Sequence, residues 1–209
     1  MNKNKIIIES SENTFDELKQ EILNCRKCQE KFGFEPHPIV RGSANSKIMH
    51  ISQAPSQNVH NTLKPWNDAS GNRLRNEWYH ISEKMFYDPD NFYLTSVAHC
   101  YPGKSLKGGD RLPPKICAKT WLVREIELVN NKMFILVGSK AANFFFPDED
   151  FTSLVFKDCV INGKPAYVLP HPSPLNIKWF RDNPKFLNER VKEIEKKIHE
   201  VLGLNDHIM

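Results

Sequence analysis

Short apolar runs of β type alternate along this chain with segments whose apolar residues recur every three or four positions. That alternation constrains the fold more than any other feature. Residues 47–52 (KIMHIS), 91–97 (NFYLTSV), 132–138 (KMFILVG) and 166–169 (AYVL) are too short for helices and rich in β-branched and aromatic side chains. Between them, 14–25 carries Phe15, Leu18, Ile22 and Cys25 at helical spacing, and 73–86, 114–128 and 139–146 are also helical. From Pro184, the residues Leu187, Val191, Ile194, Ile198 and Val201 trace a closing amphipathic helix that Gly203 ends. Strands separated by crossover helices predict an α/β three-layer sandwich with a mostly parallel four-stranded central sheet. No repeat, low-complexity stretch or linker divides the chain, so residues 1–209 are expected to form a single domain, long enough to bury its own core.

Composition removes several classes. Hydrophobic residues at 40% with 13 Phe, 5 Tyr and 4 Trp exclude a disordered chain. No apolar run approaches the roughly 20 residues of a membrane helix, and the first 15 residues lack the apolar stretch of a secretory signal. A cytoplasmic protein with no membrane partner is the expectation, and a monomer. The net charge of +4 permits an acidic partner without requiring one.

In such a sheet the functional loops leave the carboxyl ends of the strands, and here those loops hold the unusual residues: 53–71, 98–114 and 170–176. Cysteines form a second pattern. Cys25 and Cys28 make a C-x2-C chelate, and Cys100 and Cys117 follow at separations of 71 and 16 intervening residues. Four thiolates satisfy structural zinc or an iron–sulfur cluster alike, and spacing alone does not separate the two, nor either from scattered buried thiols. Cys159 stands outside the pattern.

Six motifs then carry a resemblance. His171-Pro172-Ser173-Pro174-Leu175-Asn176 resembles the HPSPL loop of uracil-DNA glycosylases, which enters the minor groove. Ser52-Gln53-Ala54-Pro55-Ser56 is similar to their first base-pocket motif, and Pro65-Trp66 to the Pro-aromatic pair that stacks on the base. Asp68-Ala69-Ser70 resembles the stretch that supplies a carboxylate in the fifth family of the superfamily. Thr95-Ser96-Val97-Ala98-His99-Cys100 looks like T-N-V-V-K-C, and Gly138 to Ala142 like the G-x-x-A turn. The chain thus resembles the uracil-DNA glycosylase superfamily, and in its cysteines the iron–sulfur-containing fourth and fifth families.

The resemblance implies a DNA glycosylase that removes uracil or another deaminated or damaged base by hydrolysing the N-glycosidic bond, acting on DNA. It implies a [4Fe–4S] cluster on Cys25, Cys28, Cys100 and Cys117, with structural zinc as the alternative. Asp68 and His171 are then the expected catalytic pair, Gln53, Ala54, Pro55, Trp66 and Ser96 the base pocket, and Ser173, Leu175, Lys178 and Arg181 the DNA contacts. Basic residues of the same loops, Lys104, Lys107, Arg111 and Lys115, add candidate phosphate contacts. Asp68 has a rival role as a helix cap, and His50, inside the first strand, reads as a satisfied core histidine. The chain also departs from the family pattern. Ser96 stands where an Asn commonly reads the uracil edge, and Gln53 where a carboxylate is usual. A second reading follows from those departures: an iron–sulfur nucleic-acid-binding protein of the same fold with lost or altered glycosylase activity.

Overall fold

The structure, a computed structural model, describes residues 14–106 and 108–204; Lys107 lies outside them. Strands β1 (Ile48–Ser52), β2 (Phe92–Ser96), β3 (Met133–Val137), β4 (Cys159–Ile161) and β5 (Lys164–Leu169) form one sheet in the order β2-β1-β3-β5-β4. The pairs β1–β2, β1–β3 and β3–β5 are parallel. The sheet therefore has five strands where four were expected. The additional one, β4, pairs antiparallel with β5 through a two-residue turn in which Asn162 and Gly163 have φ of 50° and 74°. Those angles suit the Asn-Gly hairpin turn, and the I-N-G-K sequence carried that signal.

Register brings the functional edge together. Ser52 lies opposite Ser96, and Val137 opposite Leu169, so the chain leaves β1, β2, β3 and β5 at one rim of the sheet. Two backbone bonds extend the β1–β2 alignment into the loops, from Val97 N to Ser52 O at 2.9 Å and from Ala98 N to Gln53 O at 3.1 Å. The strand order turns back at β1, where α/β sheets open a crevice.

Helices α1 (Phe15–Leu23) and α2 (Lys27–Phe32) precede β1; α3 (Gln57–Thr62), α4 (Ala69–Asn72) and α5 (Glu83–Phe86) lie between β1 and β2. α6 (Lys115–Cys117) runs through a π-helical turn into α7 (Val123–Leu128), and α8 (Ser139–Phe145) and α9 (Phe151–Val155) follow β3. α10 (Ile177–Asp182) and α11 (Val191–Leu202) close the chain, with Gly203 left-handed at the end of α11. The helix expected over 73–86 is broken. A π-helical turn continues α4 to Trp78, His80 takes a φ of 46°, and Ser82 caps α5 anew with its hydroxyl on the Met85 N–H. The break lets Trp78, Tyr79 and Phe86 all point into the core against Phe92 and Phe186.

Strands β2 and β3 are buried along their whole length, as the middle layer of a three-layer sandwich requires. A smaller cluster of Leu18, Ile22 and Trp121 packs α1 against the 118–128 helix, and Cys25 and Cys117 lie against it. Arg124 and Glu21 bridge the same two helices. Among the described residues no helix is long and apolar enough to cross a membrane.

Candidate active site

At the rim where β1 and β2 end, a cavity of about 180 Å³ opens. Gln53, Ala54, Pro55, Trp66, Ser96, Asp68 and His171 all line it. Three loops, from β1, β2 and β5, thereby bring every expected pocket and catalytic residue to one place. Ser70, the last residue of the Asp68-Ala69-Ser70 motif, also lines the cavity, as does Asp110, of which the motifs gave no sign.

The floor is made of hydroxyls. Ser52 and Ser96, paired in register, have their Oγ atoms 3.0 Å apart, and Ser96 is buried. A hydroxyl rotates to donate or accept, so this floor can meet more than one base edge. Ser56 is committed elsewhere: its Oγ accepts from Val59 N and caps α3.

Trp66 forms one wall. Its ring is 9% exposed, stands edge-on to His50 at 5.4 Å, and lies 6.1 Å from the His171 ring. His50 is a core histidine, but only half satisfied: fully buried, it is bonded at Nε2 to the Tyr79 hydroxyl at 3.0 Å, its Nδ1 is buried without a hydrogen-bond partner, and burial pushes its pKa down to about 3.

Asp68 is the N-cap of α4, its Oδ1 accepting from Gly71 N at 2.9 Å. The cap role and the cavity position coexist, because the cap uses one carboxylate oxygen. His171 sits at the mouth. Its Nδ1 accepts the Ser173 N–H at 3.1 Å, which only an unprotonated nitrogen can do, so the proton of the neutral ring is on Nε2. Partial desolvation of the ring where it faces the cavity lowers its pKa below the usual 6.5, although the residue as a whole is exposed, with the Asp68 carboxylate partly opposing. The neutral form is thus the resting one near pH 7.

The loop carrying His171 is tied down before any ligand arrives. Asn176 Nδ2 donates to His171 O, Leu175 N to Ser173 Oγ, and Arg73 Nη1 to Pro172 O at 3.4 Å. Against that order, the Leu175 side chain is 91% exposed at the tip. Lys178 and Arg181 follow on α10, both exposed and both paired with Asp182, at 2.7 and 3.0 Å. Lys104 likewise pairs with Asp110 at 2.8 Å. Exposed pairs of this kind are worth little and exchange readily for a phosphate.

Cys25, Cys28, Cys100 and Cys117 line one further pocket with Pro36, Pro38 and Trp121. Cys159 is apart from them, on β4. The Cys100 thiol is pushed up to about 12, first by burial and then by the nearby Cys117, Cys28 and Cys25. Four thiolates this close repel one another, so a cationic group among them is what lets all four ionise. Among the described residues no group of three or more His, Cys, Asp or Glu side chains is placed to hold a metal ion.

Cys117 is also held from behind. Its Sγ lies 3.3 Å from His99 N and 3.2 Å from His99 Nδ1, while His99 Nε2 meets the buried Glu125 carboxylate at 3.0 Å. Tyr93 and Thr95 of β2 donate to the same carboxylate at 2.8 and 3.1 Å. Burial disfavours a charged His99, but Glu125 and Cys117 outweigh it and raise its pKa. This network links the cysteine loop to the strand that ends in Ser96.

Comparison with known proteins agrees with this arrangement. The family model for the uracil DNA glycosylase superfamily matches residues 39–195, three quarters of the chain. The chain is similar to the Type-4 uracil-DNA glycosylase of Sulfurisphaera tokodaii, with 24% identity over 192 residues that cover 88% of this chain and 84% of the relative. It is also similar to the Type-4 uracil-DNA glycosylases of Archaeoglobus fulgidus, at 26% identity over 68% of this chain and 69% of the relative, and of Saccharolobus solfataricus, at 23% over 63% and 58%. A match of this extent, on a sheet whose rim gathers the motif residues around one cavity, means that the chain belongs to the uracil-DNA glycosylase superfamily.

Proposed function

We propose that this protein is a monomeric, single-domain DNA glycosylase of base excision repair, hydrolysing the N-glycosidic bond of uracil or another deaminated or damaged base. The observation that carries the reading is the convergence of Asp68, His171 and Trp66 on one cavity beside a pre-ordered loop with an exposed Leu175. An enzyme that acts on a base must take it out of the stack, at a cost of a few kcal/mol. Leu175 fills the gap that the base leaves, and Ser173, Lys178 and Arg181 contact the backbone around it.

In the cavity, the Trp66 ring stacks on the base while Ser96 with its Ser52 partner, Gln53, Ala54 and Pro55 bound its edge. Bond cleavage leaves the electron pair on the base nitrogen and positive charge on the sugar. The Nε2–H of His171 donates to the base oxygen where negative charge develops, and the Asp68 carboxylate stabilises the sugar cation and orients the water that attacks C1′. Gln53 carries no charge, and Asp110, the other acid that lines the cavity, is taken up by the Tyr101 hydroxyl and Lys104, so the role falls to Asp68.

Cys25, Cys28, Cys100 and Cys117 would hold a [4Fe–4S] cluster, which would tie the α1–α2 junction to the loop after β2 and to α6. The all-sulfur donor set around one pocket suits it, and the resemblance to the iron–sulfur-containing families is what favours a cluster over zinc.

Single-turnover reactions on oligonucleotides containing uracil, hypoxanthine or xanthine, followed by alkali, test the activity: alkali-labile breaks at the lesion are expected, and none with any of the three overturns the reading. Anaerobically purified protein should contain iron and acid-labile sulfide; stoichiometric zinc with neither overturns the cluster.

A further inference from the structure

Trp66 holds an unusual backbone. Its φ of 58° is in the left-handed region, which is strained for a bulky residue and persists only where the surroundings enforce it. Those surroundings are specific. Three successive carbonyls are each captured by a side chain from elsewhere in the fold: Pro65 O by the Tyr87 hydroxyl at 2.6 Å, Trp66 O by Arg75 Nη1 at 2.9 Å, and Asn67 O by Asn58 Nδ2 at 2.7 Å. Arg75 is buried, braced by Asn72 Oδ1 at 2.8 Å and by the faces of Phe86 and Tyr87 at 5.5 and 5.6 Å. Gly71 closes the arrangement. A Cβ there would stand 1.8 Å from Trp66 O, so only glycine lets the two backbones approach.

A buried guanidinium is costly to place, and here its donors go to neutral oxygens that merely shape one loop. A stacking platform gains affinity when its geometry is fixed before the base arrives. We infer that Tyr87, Arg75 and Asn58 are positioning residues, a carbonyl clamp that holds Trp66 in its left-handed conformation so that the ring stands ready as the cavity wall. The inference rests on the reading of that cavity as the base pocket. The clamp residues touch no base. They act through Trp66.

Tyr87→Phe removes one donor and leaves the ring, and Asn58→Ala removes another at an exposed position of α3. Two measurements on the holoprotein test the clamp. In hydrogen exchange, both variants should exchange faster over residues 65–72 and unchanged elsewhere. In single-turnover excision of uracil, each should lose about 10-fold or more, as small misplacements do, and that loss should shrink to under about twofold in a Trp66→Ala background, because the positioned ring is gone. Equal losses in both backgrounds, or faster exchange spread through the chain, would overturn the clamp and leave these side chains as general structure. If the wild type releases no base, the functional reading has failed, and the exchange comparison still decides whether the clamp holds Trp66.

Discussion

Leu175 offers the sharpest test of how the loop after β5 acts. In the free protein its side chain is 91% exposed while the backbone around it is fixed by four hydrogen bonds, so the residue contributes almost nothing to folding. Leu175→Ala should leave stability within about 0.5 kcal/mol of wild type, checked by denaturant unfolding. On DNA the accounting differs. If the side chain fills the space left by the extruded base, truncation removes three carbons from a fully desolvated site, about 0.8 kcal/mol each, or about 2.4 kcal/mol in all. At 1.36 kcal/mol per tenfold, that is about a 60-fold loss of kcat/KM on duplex substrate. A single strand has no vacated stack to fill, so the same variant should lose less than about threefold there. The assay is paired single-turnover excision of one lesion in duplex and in single-stranded oligonucleotides of identical sequence. Equal losses on the two would refute the reasoning, since a wedge has no work to do outside the helix.

Asp68→Asn keeps the α4 cap, because Asn and Asp cap about equally well; thermal stability should hold while excision falls by about 100-fold or more, and unaltered turnover would remove the carboxylate from the mechanism. His171→Ala should slow duplex and single-strand reactions alike, by about 10²–10³ if the Nε2–H is an oxyanion-type donor. Because protonation breaks the Ser173 N–H···Nδ1 bond, kcat/KM should also fall on the acid side of 6.5, with an apparent pKa below that value; a rise in acid would contradict the neutral-donor assignment. His50, near 3 when folded and 6.5 when unfolded, contributes stability that is present above pH 6.5 and lost as pH falls toward 3, by about 1.4 kcal/mol per pH unit. In His50→Gln the slope of unfolding free energy between pH 4 and 6 should be shallower by about that amount, and an unchanged slope would mean that the ring is already accessible to protons.

The parallel strands were legible because each is an apolar run too short for a helix and rich in β-branched and aromatic residues, the pattern of a strand buried on both faces. The fifth strand was not, since three residues are below what periodicity detects, although Asn162-Gly163 marked its turn. The 73–86 segment misled for the opposite reason: its apolar spacing continues through a break, because Tyr79 and Phe86 serve the same core from different helices. At the cavity, Trp66, Asp68 and His171 could be read from local motifs, each within a few residues of its neighbours in the pattern.

What could not be read depends on partners that sequence separates widely. Arg73 reaches Pro172 across 99 positions, and Glu125 meets Tyr93, Thr95 and His99 across 26 to 32. Glu125 occupies an inward position of its helix where periodicity calls for an apolar residue, and its charge is tolerable only because three donors from the β2 segment converge on it. Ordinary residue types become functional here by what they hold. Ser96 ends β2, Cys100 lies four residues beyond it, and Glu125 anchors the strand at Thr95 and the loop at His99, so the floor of the cavity and the cysteine pocket share one buried carboxylate. Cavity floor and cysteine pocket are thereby joined by a buried hydrogen-bonded network as well as by the loop itself, and rigidity of that kind is what a preformed pocket requires.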